Sequence, residues 1–97
     1  MPYTEAASSN RAIITVLGSD RPGIVASVTA ELADREANIL DISQTILQGT
    51  FTMTMLVDLG DSVDFSELKG ALDGLSEKLG VQITLQREEV FRFMYRL

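Results

Sequence analysis

The chain has 97 residues, of which 45% are hydrophobic, and it carries a formal net charge of −6 at pH 7. This length suits one domain with a two-layer core, and the acidic balance disfavours nucleic-acid binding, which depends on Lys and Arg neutralising phosphates. Because there is no cysteine and no histidine, the chain has no disulfide, thiol nucleophile, thiolate zinc site or histidine base.

The first ten residues are small and polar and have no periodicity, which predicts a loose tail before a single domain over residues 11–97. They have neither the charged start nor the apolar middle of a signal peptide, and no apolar run approaches the length of a membrane span. We therefore expect a cytoplasmic protein that does not associate with membranes.

The spacing of apolar residues predicts seven elements after the tail. In chain order they are a strand Arg11–Leu17, a helix Gly23–Glu36, a strand Asn38–Leu47, a strand Phe51–Leu59, a helix that Asp64 caps and Gly80 ends, a strand around Val81, Ile83 and Leu85, and a short helix Glu88–Leu97. This order predicts an α+β fold: a ferredoxin-like βαββαβ sandwich in which a four-stranded antiparallel sheet carries two helices on one face, plus the short C-terminal helix.

Strict alternation in the third strand places one set of residues on the core face, namely Phe51, Met53, Met55, Val57 and Leu59. In the second strand the predicted apolar face comprises Leu40, Ile42 and Ile46, with Gln44 among them. We interpret Gln44 as a polar residue paired with backbone near a strand end; the alternative is a contact to a ligand. The final helix has an apolar stripe of Val90, Phe91, Met94 and Leu97. That stripe must cover either the protein's own core or a partner subunit.

The segment from Gly18 to Val25 joins the first strand to the first helix. Gly18 and Gly23 permit backbone conformations and close approaches that a Cβ would block. Asp20 is placed to cap the helix, and Pro22 suits a first helical turn. The free N–H groups of a helix start, with Arg21 nearby, suit an anionic group such as a carboxylate. The alternative is a well-made turn that binds nothing.

Other functions that this topology hosts fit less well. Gly18 and Gly23 have the spacing of a P-loop, but Ile24 and Val25 replace the Lys and Ser/Thr that would hold phosphate and magnesium. Arg21 and Asn38 could serve an acylphosphatase-type enzyme, whose longer glycine-rich phosphate cradle is missing. The chain also lacks the stacking aromatics of an RNA-recognition domain. We therefore expect no catalytic residues, no metal site and no nucleic-acid partner.

Three segments together resemble one known family. They read Arg11-Ala-Ile-Ile-Thr-Val-Leu-Gly, Asp20-Arg-Pro-Gly-Ile-Val, and Asn38-Ile followed by Asp41-Ile-Ser-Gln-Thr. They resemble an ACT domain, and the ending Val90-Phe-Arg-Phe-Met-Tyr-Arg is similar to that of the small stand-alone ACT-domain proteins of bacteria and archaea. The resemblance extends from about Arg11 to Leu97.

The resemblance implies a regulatory domain without catalysis or cofactor that binds a small effector, usually an amino acid. It also implies a homodimer in which two sheets join edge to edge. The effector then lies between the first loop of one subunit and the second-strand edge of the other. Carried over by position, the pocket comprises Asp20, Arg21, Pro22, Gly23, Ile24 and Val25, with Asn38 and Ile39 opposite.

The residues agree with this implied site, because Arg21 and N–H donors suit a carboxylate and Asp20 or Asn38 suits an ammonium group. The predicted topology brings the first loop and the start of the second strand together at one end of the sheet. One departure is that many ACT domains have a glycine shortly before the Asn-Ile pair, where this chain has Arg35-Glu36-Ala37.

Two functions follow from these observations. The first is a homodimeric sensor that relays occupancy by an amino acid to a separate target protein, and the polar loop favours it. The second is a structural or adaptor module that keeps the ACT shape but binds partner proteins without a small ligand. The apolar C-terminal helix favours that alternative.

Overall fold

A computed structural model of the protein describes residues 10–19, 22–61 and 63–94. Its elements are β1 Arg11–Ser19, α1 Ile24–Asp34, β2 Asn38–Leu47, β3 Thr50–Asp58, α2 Phe65–Leu79, β4 Gln82–Arg87 and α3 Glu88–Met94. The strands form one antiparallel sheet in the order β2-β3-β1-β4. The predicted ferredoxin-like fold with a C-terminal helix is confirmed. The predicted tail falls, except for Asn10, outside the described residues.

The hydrophobic core lies between α1, α2 and one face of the sheet. All five residues that alternation assigned to the core face of β3 are buried: Phe51, Met53, Met55, Val57 and Leu59. They pack with Ile14 and Val16 of β1 and with Val28 of α1. Full burial of one such side chain contributes about 1.5–3 kcal/mol. Within the described ranges, no helix is both long and apolar enough to cross a membrane.

The start and end of α2 are those that the sequence predicts. The Asp64 carboxylate accepts the N–H of Ser66 at 3.1 Å, and Gly80 ends the helix with φ 71°. Glu67, three residues after the Asp64 cap, accepts two 2.7 Å hydrogen bonds from Arg35, next to α1. This contact raises the pKa of Arg35 and lowers that of Glu67. Glu67 therefore joins the two helices.

Helix α1 ends two residues earlier than predicted, in a Schellman motif. The N–H of Glu36 donates to the Ala33 carbonyl at 3.0 Å, and the N–H of Ala37 donates to the Leu32 carbonyl at 2.9 Å. Glu36 thereby takes the left-handed position, with φ 61°. This is the conformation that glycine usually provides, so the turn before Asn38 keeps a glycine-type geometry without glycine.

Helix α3 lies on the face of the sheet that is opposite to α1 and α2. We call that face of the sheet the open face. A buried ion pair holds it there: Arg11 of β1 donates to Glu88 at 2.7 and 2.8 Å, and these residues are only 4% and 8% exposed. Burial alone would raise the pKa of the Glu88 carboxyl, but hydrogen bonds and positive charge from Arg92 and Arg11 bring that pKa below its ordinary value.

The predicted apolar stripe of α3 is not buried in the single chain. Phe91 is half-buried, whereas Val90 and Met94 are exposed, and Leu97 lies outside the described residues. Phe93, which the stripe did not include, is 76% exposed. The ion pair sets the rotation of the helix, and this rotation turns most of its apolar residues to solvent.

We predict that Glu36→Gly stabilises the protein, because glycine removes the steric cost of a Cβ in the left-handed region. The expected gain is about 1 kcal/mol, or a rise in melting temperature of about 4–8 °C. Thermal unfolding followed by circular dichroism measures it. Glu36→Ala is the matched control, since it removes the carboxylate but keeps the Cβ. An equal gain in both variants would contradict the conformational explanation.

Candidate ligand-binding site

Gly18 and Gly23 both have the roles that the sequence predicts, although Gly18 lies within β1, which ends two residues later than predicted. A Cβ built on Gly18 would lie 2.7 Å from Cγ1 of Val81, so β1 can approach the start of β4 only without a side chain there. Gly23 has φ 90°, in the left-handed region. These constraints fix how β1 leaves the sheet and how α1 begins.

Helix α1 begins at Ile24 with Gly23 at its N-cap, one residue later than predicted. Pro22 therefore lies in the turn before the helix, so its predicted place in the first helical turn is wrong. Asp20, predicted to cap the helix, and Arg21 lie outside the described residues. Gly23 has no side chain that could accept the N–H groups of the first turn, which leaves this helix start suited to an external anion.

The predicted pocket residues around the helix start differ in burial. Pro22 and Gly23 are exposed, Val25 is half-buried against the core, and Ile24 is only 2% exposed. The Ile24 side chain belongs to the hydrophobic core, so this residue can contact a ligand only through its backbone. The sequence alone does not distinguish a side chain in the core from one that lines the pocket.

Asn38 and Ile39 lie far from this helix start within one chain. Asn38 pairs with Asp58, which in turn pairs with Arg11 at the beginning of β1. The first loop follows the other end of β1, where Ser19 pairs with Thr50. About 30 Å of strand therefore separates the two halves of the predicted site. The expectation that they approach each other within one chain is wrong, because α1 returns the chain to the opposite end of the sheet.

Strand β2 is an uncovered edge of the sheet, and every residue from Asp41 to Leu47 is exposed. Its register with β3 shifts between Ile39 and Asp41, which marks a β-bulge at Leu40. The extra residue makes Ile39, rather than the predicted Leu40, share a face with Ile42 and Ile46. No residue type in this segment signals the bulge.

The edge retains apolar residues on the side that faces the helices. Ile42 is 42% exposed and Ile46 58% exposed, although their cross-strand neighbours Met55 and Phe51 are buried. Gln44 lies between them and forms no hydrogen bond with another described residue. Within the described part of the chain its predicted pairing with backbone is therefore not found, and solvent reaches its amide on the uncovered edge.

The acidic residues near the end of β3 have local structural roles. Asp58 accepts the N–H of Gly60 at 3.0 Å, and Asp64 caps α2. Among the residues that the structure describes, no three Asp or Glu side chains form a group that could hold a metal ion.

Comparison with known proteins places the fold in one family. The family model described as "ACT domain" matches residues 10–86. The UPF0237 protein MMP0657 of Methanococcus maripaludis is 54% identical over 86 residues, which cover 88% of this chain and 96% of the relative.

Solved structures agree with this match. An ACT domain protein from Streptococcus pneumoniae is 39% identical with a TM-score of 0.76, over 87% of this chain and 96% of that one. The regulatory subunit of aspartate kinase from Thermus thermophilus, in its ligand-free form, is 26% identical with a TM-score of 0.62, over 79% of this chain and 50% of that one. The chain therefore belongs to the ACT domain family, whose members are commonly regulatory ligand-binding domains.

Proposed function

We propose that the protein is a non-catalytic sensor that binds an amino acid at the start of α1 and acts as a homodimer. The observation that carries this proposal is the start of α1 at Gly23: no side chain in the described part of the chain caps its first turn, so the first-turn N–H groups suit an external acceptor. Where Ser, Thr, Asp or Asn occupies this position, its side-chain oxygen accepts those N–H groups, as Asp64 does at the start of α2.

The chemistry of the surrounding residues suits an amino acid. Its carboxylate accepts hydrogen bonds from the first-turn N–H groups and from Arg21, and the positive end of the helix dipole favours that charge. Asp20, or Asn38 of a second copy, accepts hydrogen bonds from the ammonium group. The exposed face of Val25 contacts the effector side chain.

The β2 edge supports dimerisation and suggests one particular register. The N–H of Ile42 donates to its neighbour Asp41 at 2.9 Å, which indicates that Ile42 directs its backbone away from β3, as do Gln44 and Ile46 by alternation. Antiparallel pairing centred on Gln44 sets Gln44 against its own copy and Ile42 against Ile46. Any neighbouring register places one of these isoleucines against Gln44 instead.

This register also reunites the two halves of the proposed site. Two-fold pairing about Gln44 puts Asp41 of one copy opposite Leu47 of the other, and Leu47 pairs with Thr50 of its own chain. Thr50 pairs with Ser19, the last residue of β1 before the first loop. Asn38 and Ile39 of each copy then lie at the end of the joined sheet that carries the other copy's helix start.

We predict that one of the common amino acids raises the melting temperature and that Arg21→Ala removes about half or more of that effect. An effector at 100 times its Kd adds about 2.7 kcal/mol of stability. Losing a hydrogen bond to a charged group weakens binding by about tenfold to a hundredfold. Thermal unfolding with each amino acid in turn measures both effects, and Arg21→Lys is the control that keeps the charge. An unchanged shift in Arg21→Ala would rule out the carboxylate contact.

We predict that Gln44→Cys forms a disulfide-linked dimer on mild oxidation, since the natural sequence has no cysteine. Directly opposed residues in a hydrogen-bonded antiparallel pair have Cα atoms about 5.5 Å apart, within disulfide range. Non-reducing electrophoresis detects the product. Thr45→Cys is the matched control. In this register Thr45 of one copy lies diagonally across from Thr45 of the other, about 7–8 Å away. Equal cross-linking of both variants would contradict this register.

A second candidate function is an adaptor that binds a partner protein without a small ligand. The exposed apolar residues of α3, namely Val90, Phe93 and Met94, favour it. The amino-acid series separates the candidates, since an adaptor shows no shift with any compound.

A further inference from the structure

The open face of the sheet has a groove beside α3, on the side away from α1. Its volume is about 180 Å³, and it is lined by Thr15, Leu17, Gln82, Thr84, Gln86 and Phe91. Thr15 pairs with Thr84 and Leu17 with Gln82, so neighbouring strands set these side chains side by side. We call this feature the α3 groove.

One wall of the α3 groove is held firmly. Phe91 comes one helical turn after Glu88, which is fixed to β1 by the buried pair with Arg11. Arg92 donates to the same carboxylate at 2.9 Å. The aromatic ring therefore keeps its place beside the sheet without a ligand, so ordering it upon binding costs little.

Among the described residues, the α3 groove is lined by polar groups without charge. All six of these lining residues are uncharged, and Arg11 and Arg92 nearby are both engaged with Glu88. Arg87 lies on the helix-covered side, with its guanidinium carbon 4.4 Å from the centre of the Phe65 ring. A charged ligand would lose hydration here without gaining an opposite charge.

The hydrogen-bonding groups of the α3 groove are mixed. The threonine hydroxyls and glutamine amides each donate and accept. The Gln86 amide donates to the Met94 sulfur at 3.3 Å, which is a weak acceptor that a better one would replace. A ligand edge that alternates donors and acceptors satisfies such a surface.

We propose that the α3 groove is a second binding site, which takes an uncharged, planar, hydrogen-bonding ring such as a nucleobase or an aromatic carboxamide. The ring lies against Phe91, and its polar edge contacts Thr84 and Gln82. The volume of the groove is below the roughly 300–1,000 Å³ of pockets that bind drug-sized ligands, so the ligand is about one ring system in size. This site is independent of the proposed amino-acid site, because it lies on the other face of the sheet.

The test is an amide NMR titration of the full chain with nicotinamide and with adenine. We expect saturable shifts at Thr15, Gln82 and Thr84 with at least one probe, with a Kd of about 1 mM for so small a ligand. Thr84→Val removes the hydroxyl at constant shape and should weaken binding about threefold to tenfold. Thr52→Val is the matched control, since Thr52 is exposed on the same face but does not line the α3 groove.

Two further variants complete the test. Gln82→Ala should also weaken binding, whereas Arg21→Ala should leave it unchanged, which separates this site from the amino-acid site. The absence of saturable shifts with both probes would overturn the proposal. Equal affinities of Thr84→Val and Thr52→Val would also overturn it.

Discussion

The incomplete cover that α1 and α2 give the sheet determines most of what this protein can do. The helices bury the inner faces of β1, β3 and β4, but they leave β2 uncovered from Asp41 to Leu47. Ile42 and Ile46 face the helix side and are still largely exposed. A ten-residue edge strand with apolar residues favours pairing with another strand. A second copy satisfies this requirement symmetrically, since each β2 completes the other.

The same topology explains why one chain cannot form the proposed site alone. In a strand–helix–strand unit, α1 carries the chain from one end of the sheet back to the other. The helix start and Asn38 must therefore lie at opposite ends, whatever the side chains. In the proposed dimer, antiparallel pairing reverses the second copy, and this reversal brings the two ends together. Ligand binding and dimerisation are then coupled, because each proposed site takes residues from both copies.

In α3, one buried ion pair determines which side chains of the helix face solvent. Replacing one partner of such a pair typically costs 3–5 kcal/mol, because a charge is left buried without its counterpart. Arg11 and Glu88 therefore fix the helix more strictly than its apolar residues do. As a result, Phe91 lines a groove while Phe93 points to solvent.

The sequence predicted the elements whose signals are local. The alternation from Phe51 to Leu59, the Asp64 cap and the Gly80 end each depend on residues close together in the chain. Three features had no such signal. The bulge at Leu40 inserts a residue without a turn residue to mark it, and Glu36 adopts a conformation that its residue type disfavours. The pair of Arg11 and Glu88 joins residues 77 positions apart.

The candidate site was predictable in composition but not in arrangement. Gly18 and Gly23 have the predicted roles, whereas the Ile24 side chain is in the core and Asn38 lies at the other end of the sheet. These differences arise from three-dimensional packing, which residue types at fixed spacing do not encode.

The most direct test of the proposed function is an amide NMR titration of the full chain with the common amino acids. Binding at the helix start predicts saturable shifts at Gly23, Ile24 and Val25, together with shifts at Asn38 from the other copy. One bound amino acid with that pattern would establish the sensor and identify its effector. If no amino acid shifts the first turn of α1, the sensor is wrong and the adaptor becomes the better explanation.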